Sequence, residues 1–563
     1  MQAWLFVLGW ILVLGGGGLG HLIQTAGGIE IEDVRFEFEQ GKELSALLYK
    51  PANATLETPA PGILAVHGYI NSRETQSGFA IEFARRGYVV LAIDQTGHGF
   101  SEGAAFSAGF GGPAALRYLR NLPFVDTNNI GLEGHSMGGW TSLAAAADQP
   151  EGYRSVALVG SSTGLPFAAA GTPTSPRNLG VIFSRFDEFA DLMWGVRDAR
   201  DVTRSEKLQA VFGTQGPIEP GRVYGSIAAG TGRWLATPNT THPGDHLSTE
   251  AIADAVTWMD RTLVGGMQRA ETEQIWFWKE IGTLIALVGG VCIVLGSFEL
   301  LVTMRPFAAI AGKGEGAVAQ PGWTWLGGLL VTTAIPAMTY FLFTGWGAAF
   351  SANGLFPQGI TNQILVWALG NALITIAVTR VIRLASPAAT DTSVAINLPV
   401  TGLAALASVL SLYLAVAVSD WLFKTDLRFW VIALKPLAPH HVPVFLAYLI
   451  AFAAFFYVSQ RAWHSAMSLQ AGAIIQYATA IVGSVGGLLL MLGSIYVYLF
   501  VTGHLPGVDP LFTIVAIQFV PILTITSIIS VFAWRRTGHA AAGAIICGLF
   551  VTWYIVAGQA THV

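Results

Sequence analysis

From Ile281 onward the chain is a succession of long apolar runs, near residues 281–303, 323–346, 362–382, 397–418, 442–459, 475–500, 511–532 and 540–558. At ~1.5 Å of rise per residue, each is long enough to cross a hydrocarbon core of ~30 Å as an α-helix. Lipid offers no partners for backbone N–H and C=O groups, so segments of this composition are expected to be helical and to pack against one another. A ninth run, residues 3–23, has the same character. Met1-Gln2 offers no basic side chain and Gln24-Thr25-Ala26 is a poor cleavage site, so this run is expected to stay as an anchor rather than be removed as a signal peptide. The stretch 424–437 carries Lys424, Arg428 and Lys435 among aromatic residues and is expected to lie in the membrane interface. Nothing in the runs shows the inverted repeat of many transporters.

The preceding half is different in kind. Residues 279–563 hold 11 of the 30 Lys and Arg and 7 of the 35 Asp and Glu, a net +4, against −9 for the first 278. An acidic half without clustered Lys and Arg argues against a nucleic-acid partner. The two cysteines, Cys292 and Cys547, both fall in apolar runs, so neither a disulfide framework nor a cysteine-based metal site is implied.

Residues 29–39 and 43–50 alternate apolar and polar side chains about a glycine turn, the period-2 mark of a half-buried hairpin. Residues 62–67 and 88–94 are short continuous apolar runs, as expected for strands covered on both faces, and 74–86 between them has helical spacing. The alternation continues with helices at 113–121, 140–147 and 249–263 and strands at 130–133, 155–160, 180–186 and 233–237. Ser248 is placed to cap the last helix. This order predicts a doubly wound, mostly parallel α/β sheet. The expected organisation is an anchor at 1–27, an α/β domain at 28–265, a linker at 266–280 and a helical membrane domain at 281–563.

Within the α/β half, Gly134-His135-Ser136-Met137-Gly138 separates a strand from a helix, the G-x-S-x-G context in which a serine hydroxyl is exposed on a sharp turn above a sheet. Such a serine becomes nucleophilic when an imidazole takes its proton and a carboxylate orients that imidazole. Downstream, Asp187 closes the run 180–187 and is the candidate acid, with Glu188 and Asp191 behind it. His242 and His246, in Thr241-His242-Pro243-Gly244-Asp245-His246, are the two candidate bases. The backbone N–H groups of Met137 and of Tyr69, in His67-Gly68-Tyr69, are placed to form an oxyanion hole.

Together with Asp94-Gln-Thr-Gly97-His98-Gly99-Phe-Ser101, these motifs make residues 29–264 resemble the α/β-hydrolase superfamily, in particular its esterases, lipases and acyl-peptidases. The elbow is also similar to that of cutinase-type and dienelactone-hydrolase-type enzymes, although Trp140 stands where those often carry a small residue. The resemblance implies a serine hydrolase with Ser136, Asp187 and His242 or His246 as its triad, an acyl-enzyme intermediate, and no cofactor or metal. Attachment to nine spans narrows the expected substrate to an ester, thioester or peptide of lipid-like or acylated character, met at the membrane surface among its lipids. Oligomeric state is not legible. The competing expectation is a transporter or signalling protein that uses the α/β domain as a binding or sensor module. Seven basic residues fall on one set of loops (Arg305, Lys313, Arg380, Arg383, Arg461, Arg535, Arg536) and three on the other, which predicts a multi-pass protein of the plasma (cytoplasmic) membrane with its α/β half outside the cytoplasm.

Overall fold

In a computed structural model of the protein, the described residues are 3–312, 322–385, 396–467 and 472–563. Lys313 lies outside them, as does the side chain of Arg383. Nine strands build one sheet: β1 (Glu30–Glu39), β2 (Lys42–Lys50), β3 (Ala60–Val66), β4 (Val89–Ile93), β5 (Val125–His135), β6 (Ser155–Val159), β7 (Leu179–Ile182), β8 (Val223–Tyr224) and β9 (Arg233–Ala236). Their order is β1-β2-β4-β3-β5-β6-β7-β9-β8, antiparallel at both edges and parallel from β4 to β9.

The alternation of side chains across the pleat decides what each face packs against. Leu64 and Val66 of β3, with Val89, Leu91 and Ile93 of β4, meet α3 (Gly112–Arg120) and α4 (Met137–Asp148) through Leu116, Leu119 and Leu143. Ile63, Ala65, Val90 and Ala92 face the opposite layer, where α2 (Ser77–Ala84) supplies Phe79 and Phe83 and α7 (Thr249–Thr262) supplies Ile252 and Val256. The Ser248 hydroxyl caps α7 by accepting from the Ala251 N–H at 3.1 Å.

Two elements differ from the sequence expectation. β7 stops at Ile182 instead of Phe186, because its neighbour β9 ends just before Pro238, which has no N–H to return to the ladder. The chain nevertheless follows that neighbour, and Phe186 makes a single parallel bridge to Thr241. The second is the insertion between β7 and β9, where the alternation of the sequence predicts no element. It holds α5 (Ala190–Trp194), α6 (Glu206–Phe212) and the edge strand β8.

The second half is helical. With α1 (Trp4–Gln24), it comprises α8 (Trp276–Thr303), α9 (Trp323–Met338), α10 (Tyr340–Gly347), α11 (Gly359–Ala385), α12 (Leu398–Phe423), α13 (His441–Ala466), α14 (Ala473–Thr502), α15 (Pro510–Thr537) and α16 (Ala541–Gly558). Counting α9 and α10 as one interrupted span, nine helices among the described residues are long and apolar enough to cross a membrane. The interruption follows Pro336, whose ring removes one helical donor and crowds the preceding turn. α1 and α8 run antiparallel with glycines at the seam. A Cβ on Gly9 would come 2.8 Å from the Gly289 carbonyl oxygen, and one on Gly16 would collide with that of Gly282. Small residues let helix backbones approach this closely. α16 is buried along nearly its whole length. Glu299, near the end of its span, forms an ion pair with Arg536 of α15 instead of reaching outward alone.

The two halves are joined by polar and apolar contacts. α8 begins inside the expected linker, and Glu82 of α2 accepts the Ile275 and Trp276 N–H groups at 2.7 and 3.1 Å. The stretch expected in the interface is instead a short hairpin, β10 (Leu427–Phe429) and β11 (Ile432–Leu434), wedged between the bundle and the sheet domain. Its buried Arg428 meets Asp426, Ser72, Thr75 and Glu74, and its Lys435 lies 3.5 Å from Glu74 and 4.0 Å from Asp94. Two of its three basic side chains, Arg428 and Lys435, thus meet carboxylates of the acidic half, and Arg428 also pairs with Asp426 of its own segment.

Candidate active site

β5 delivers the chain to its C-terminal edge at His135, and the next residue must reverse direction sharply for α4 to begin. Ser136 accomplishes this at φ 55°, ψ −121°, a conformation that a residue with a side chain adopts only when its surroundings enforce it. The flanking glycines make the turn feasible: a Cβ on Gly134 would collide with the Gly138 carbonyl, and one on Gly138 with the Val66 carbonyl of β3. The Ser136 N–H bonds to Val159 at the end of β6 (2.8 Å), which ties the turn to the sheet. Ser136 itself is half-buried, while its neighbours on both sides are buried.

The turn Ser184 to Asp187 carries the candidate acid back over the same edge. Asp187 is buried; its Oδ1 accepts the Phe189 N–H at 2.8 Å and its Oδ2 lies 2.8 Å from His242 Nδ1. An ionised Asp187 accepts the proton of Nδ1 in that pairing, which leaves Nε2 as the basic nitrogen. His242 sits against the end of β6, where a Cβ on Gly160 would come 2.9 Å from its Nδ1. Its carbonyl bonds to the ring of His135, the residue before the serine, at 3.0 Å. Burial pushes the His242 imidazole down to about 4, so it is neutral near pH 7.

His246 is placed differently. Its ring lies between Phe79 and His135, and neither ring nitrogen has a hydrogen-bond partner among the described residues. Burial holds it well below the ordinary imidazole range. The structure brings Ser136, Asp187 and His242 to one sheet edge and places His246 behind His135. Glu188, the fallback acid, points elsewhere: its Oε2 accepts the His242 N–H at 2.8 Å. Asp191 lies in α5.

Facing the serine, the loop after β3 runs so close that a Cβ on Gly68 would be 3.2 Å from the Ser136 Cβ. Tyr69 is the next residue of this loop, and Met137, as the first residue of α4, has no intrahelical acceptor for its own N–H. The Asp94 motif braces this loop. Asp94 accepts the Arg73 and Phe100 N–H groups at 2.9 and 3.0 Å, and the Gln95 side chain donates to the His67 carbonyl at 2.6 Å. His98 accepts the Ile70 N–H at 3.4 Å and so helps to order this turn.

Several residues at the site are not identifiable from the sequence. Asp245 is fully buried, accepts from the Ser184 hydroxyl at 2.5 Å and lies 3.4 Å from His135 Nε2. Its only sequence signal is its position between the two candidate histidines. From the helical half, Tyr496, Trp430 and His562 bond to Glu188, the Pro243 carbonyl and the Tyr69 hydroxyl at 2.8, 2.7 and 2.8 Å. Nothing local to those three residues marks them. Among the described residues, no group of three or more His, Cys, Asp or Glu side chains is arranged to hold a metal ion.

The sheet order and the strained serine at its strand-to-helix turn define the class: the N-terminal half of the chain has the α/β-hydrolase fold. A family profile described as the alpha/beta hydrolase fold matches residues 61–191. Over 123 residues the chain is 35% identical to the quorum-quenching protein AidA of Acinetobacter baumannii, a match covering 21% of this chain and 39% of that protein. The chain therefore spans about two fifths of that relative's length. Among solved structures, an esterase of Pyrococcus furiosus is 19% identical, with 43% of this chain and 92% of that chain covered and a TM-score of 0.31. A thermostable carboxyl esterase of Bacillus coagulans is 21% identical, with 24% and 46% covered and a TM-score of 0.21.

Proposed function

We propose that the protein is a membrane-embedded serine hydrolase that cleaves an ester, thioester or peptide bond of a lipid-like or acylated substrate through an acyl-enzyme. The observation that carries this reading is the His242–Asp187 pair at 2.8 Å, set on the same sheet edge as a serine held at φ 55°. In the proposed reaction, Ser136 Oγ attacks the acyl carbon as His242 Nε2 takes its proton. The tetrahedral oxyanion is held by the Tyr69 and Met137 N–H groups. Its collapse breaks the bond to the leaving group, which departs with the proton from His242. Water then attacks the acyl-serine, again giving its proton to His242, and the acid and free Ser136 are released.

The surroundings favour an apolar acyl group. Trp140, Phe110, Phe167, Phe106 and Tyr69 form a run of aromatic rings with centroids 5.1–5.9 Å apart, extending from the helix behind Ser136 to the oxyanion loop. Phe106 and Phe167 are 39% and 44% exposed and Leu165 beside them is 81% exposed, an apolar surface suited to an acyl chain. With α1 on one side and eight further spans on the other, the site would work at a membrane surface. The loop charges favour the plasma membrane with the site outside the cytoplasm. The test is hydrolysis of p-nitrophenyl esters of rising chain length by the full-length protein. The reading expects kcat/KM to rise with acyl length and Ser136→Ala to abolish turnover; turnover that survives the substitution refutes it.

A further inference from the structure

We propose that Tyr496 and Trp430, both from the membrane half, are positioning residues that hold the catalytic histidine in place. This inference rests on the assignment of His242 as the base. The backbone around His242 is gripped at two points. Its N–H donates to Glu188 Oε2 at 2.8 Å, and Glu188 Oε1 accepts from the Tyr496 hydroxyl of α14 at 2.8 Å. One residue further on, the Pro243 carbonyl accepts from Trp430 Nε1 at 2.7 Å. Trp430 forms the turn between β10 and β11 at φ +51°, a left-handed conformation unusual for so bulky a residue.

The two arms come from segments distant in sequence and end on consecutive residues. Within the α/β half, His242 meets the Asp187 carboxylate and the Phe189 ring with its imidazole, and its carbonyl accepts from the Asp245 N–H and meets the His135 ring. The loop containing it is otherwise a short turn between β9 and α7. Glu188 is the joint of the first arm: it is buried, burial pushes its carboxyl up to about 8, and it bonds to the base on one side and to a membrane helix on the other. A hydrolase domain that needed its spans only as an anchor would not require the bundle to touch the backbone of its base. Displacing a catalytic base by about 1 Å can cost on the order of 10²-fold in rate.

The experiment compares Tyr496→Phe, Trp430→Phe, Glu188→Ala and Glu188→Gln with wild type in full-length protein reconstituted in nanodiscs. The substrate is p-nitrophenyl acetate, whose acyl group is short. Turnover is expressed per site titrated by a fluorophosphonate, so loss of folded protein does not register as loss of kcat. Tyr496→Phe and Trp430→Phe are each expected to lower kcat on the order of tenfold with KM unchanged. Glu188→Ala should do the same. Glu188→Gln, which keeps an acceptor for the His242 N–H and an amide that can bond to Tyr496, should recover most of the rate. Unchanged kcat per titrated site in both Tyr496→Phe and Trp430→Phe overturns the proposal, as does a change confined to KM. Ser136→Ala separates the two levels: if it is inactive while those variants are unaffected, only the positioning role fails, and if it turns over normally, the hydrolase assignment fails.

Discussion

At the scale of single residues, burial creates the chemistry. His242 is removed from water but keeps Asp187 on Nδ1, so it stays neutral at a pH where a solvated imidazole, with its ordinary value of 6.5, would already be partly charged. A base with a depressed value is competent above it and fails as pH falls through it. The acid limb of kcat/KM is therefore expected well below 6.5, towards about 4, and a limb centred near 6.5 would contradict the assignment. The two histidines of the loop separate in the same way. His242→Ala is expected to lower kcat by on the order of 10³-fold, whereas His246→Ala should keep it within about tenfold; equal losses in steady-state kinetics would count against His242 as the base. Ser136 and Asp187 were legible in the sequence as candidates, Ser136 directly after the run that forms β5 and Asp187 at the close of a run whose strand, β7, ends earlier at Ile182. The choice between His242 and His246 was not, since four residues of turn can aim either ring forward. What favours His242 is the tertiary pairing with Asp187 and the placement of His246 between His135 and Phe79.

At the scale of elements, close backbone approach governs both halves. The α1–α8 seam depends on glycines whose missing side chains admit the facing backbone, and the consequences are specific to position. Gly16→Ala drives a methyl group into the Gly282 turn, and is expected to cost roughly 1–3 kcal/mol of overpacking, read as a lower Tm. Gly15→Ala, next in sequence, meets nothing within 4 Å, and should be neutral or gain roughly 0.5–1 kcal/mol from helix propensity. Similar Tm values for the two variants would remove the basis for this seam. The period-2 and helical patterns located nearly every sheet element. They missed the edge strand β8 and the β10–β11 hairpin, each only two or three residues long and held by partners far away in sequence. A charged, aromatic stretch between two spans reads as interfacial when the only partner considered is lipid. Here its partners are Glu74 and Asp94 of the other half.

At the scale of the whole molecule, the hydrolase domain and the helical bundle share buried ion pairs, a segment of extended chain and the backbone of the candidate base. Thr561, beyond α16, exchanges backbone hydrogen bonds with Gly97 and Ala105 at 2.8 and 2.7 Å, so the loops around the site are supported from the bundle side. Sequence patterns divide the chain at its composition change, but they cannot show that the two parts meet at the edge carrying the candidate site, because no local signal encodes a contact as distant in sequence as that between Tyr496 and Glu188. The loop charges make one prediction for the assembled protein. A cysteine placed at the exposed Leu165 should react with a membrane-impermeant maleimide on intact cells, and reaction only after permeabilisation would reverse the proposed orientation. The central claim, that Ser136 is a nucleophile activated by His242, is tested most directly by mass spectrometry of the full-length protein after exposure to a fluorophosphonate. The account predicts one adduct per chain on the peptide containing Ser136, absent in Ser136→Ala and strongly slowed in His242→Ala. An adduct on another residue, or labelling that persists at the wild-type rate without His242, would contradict it.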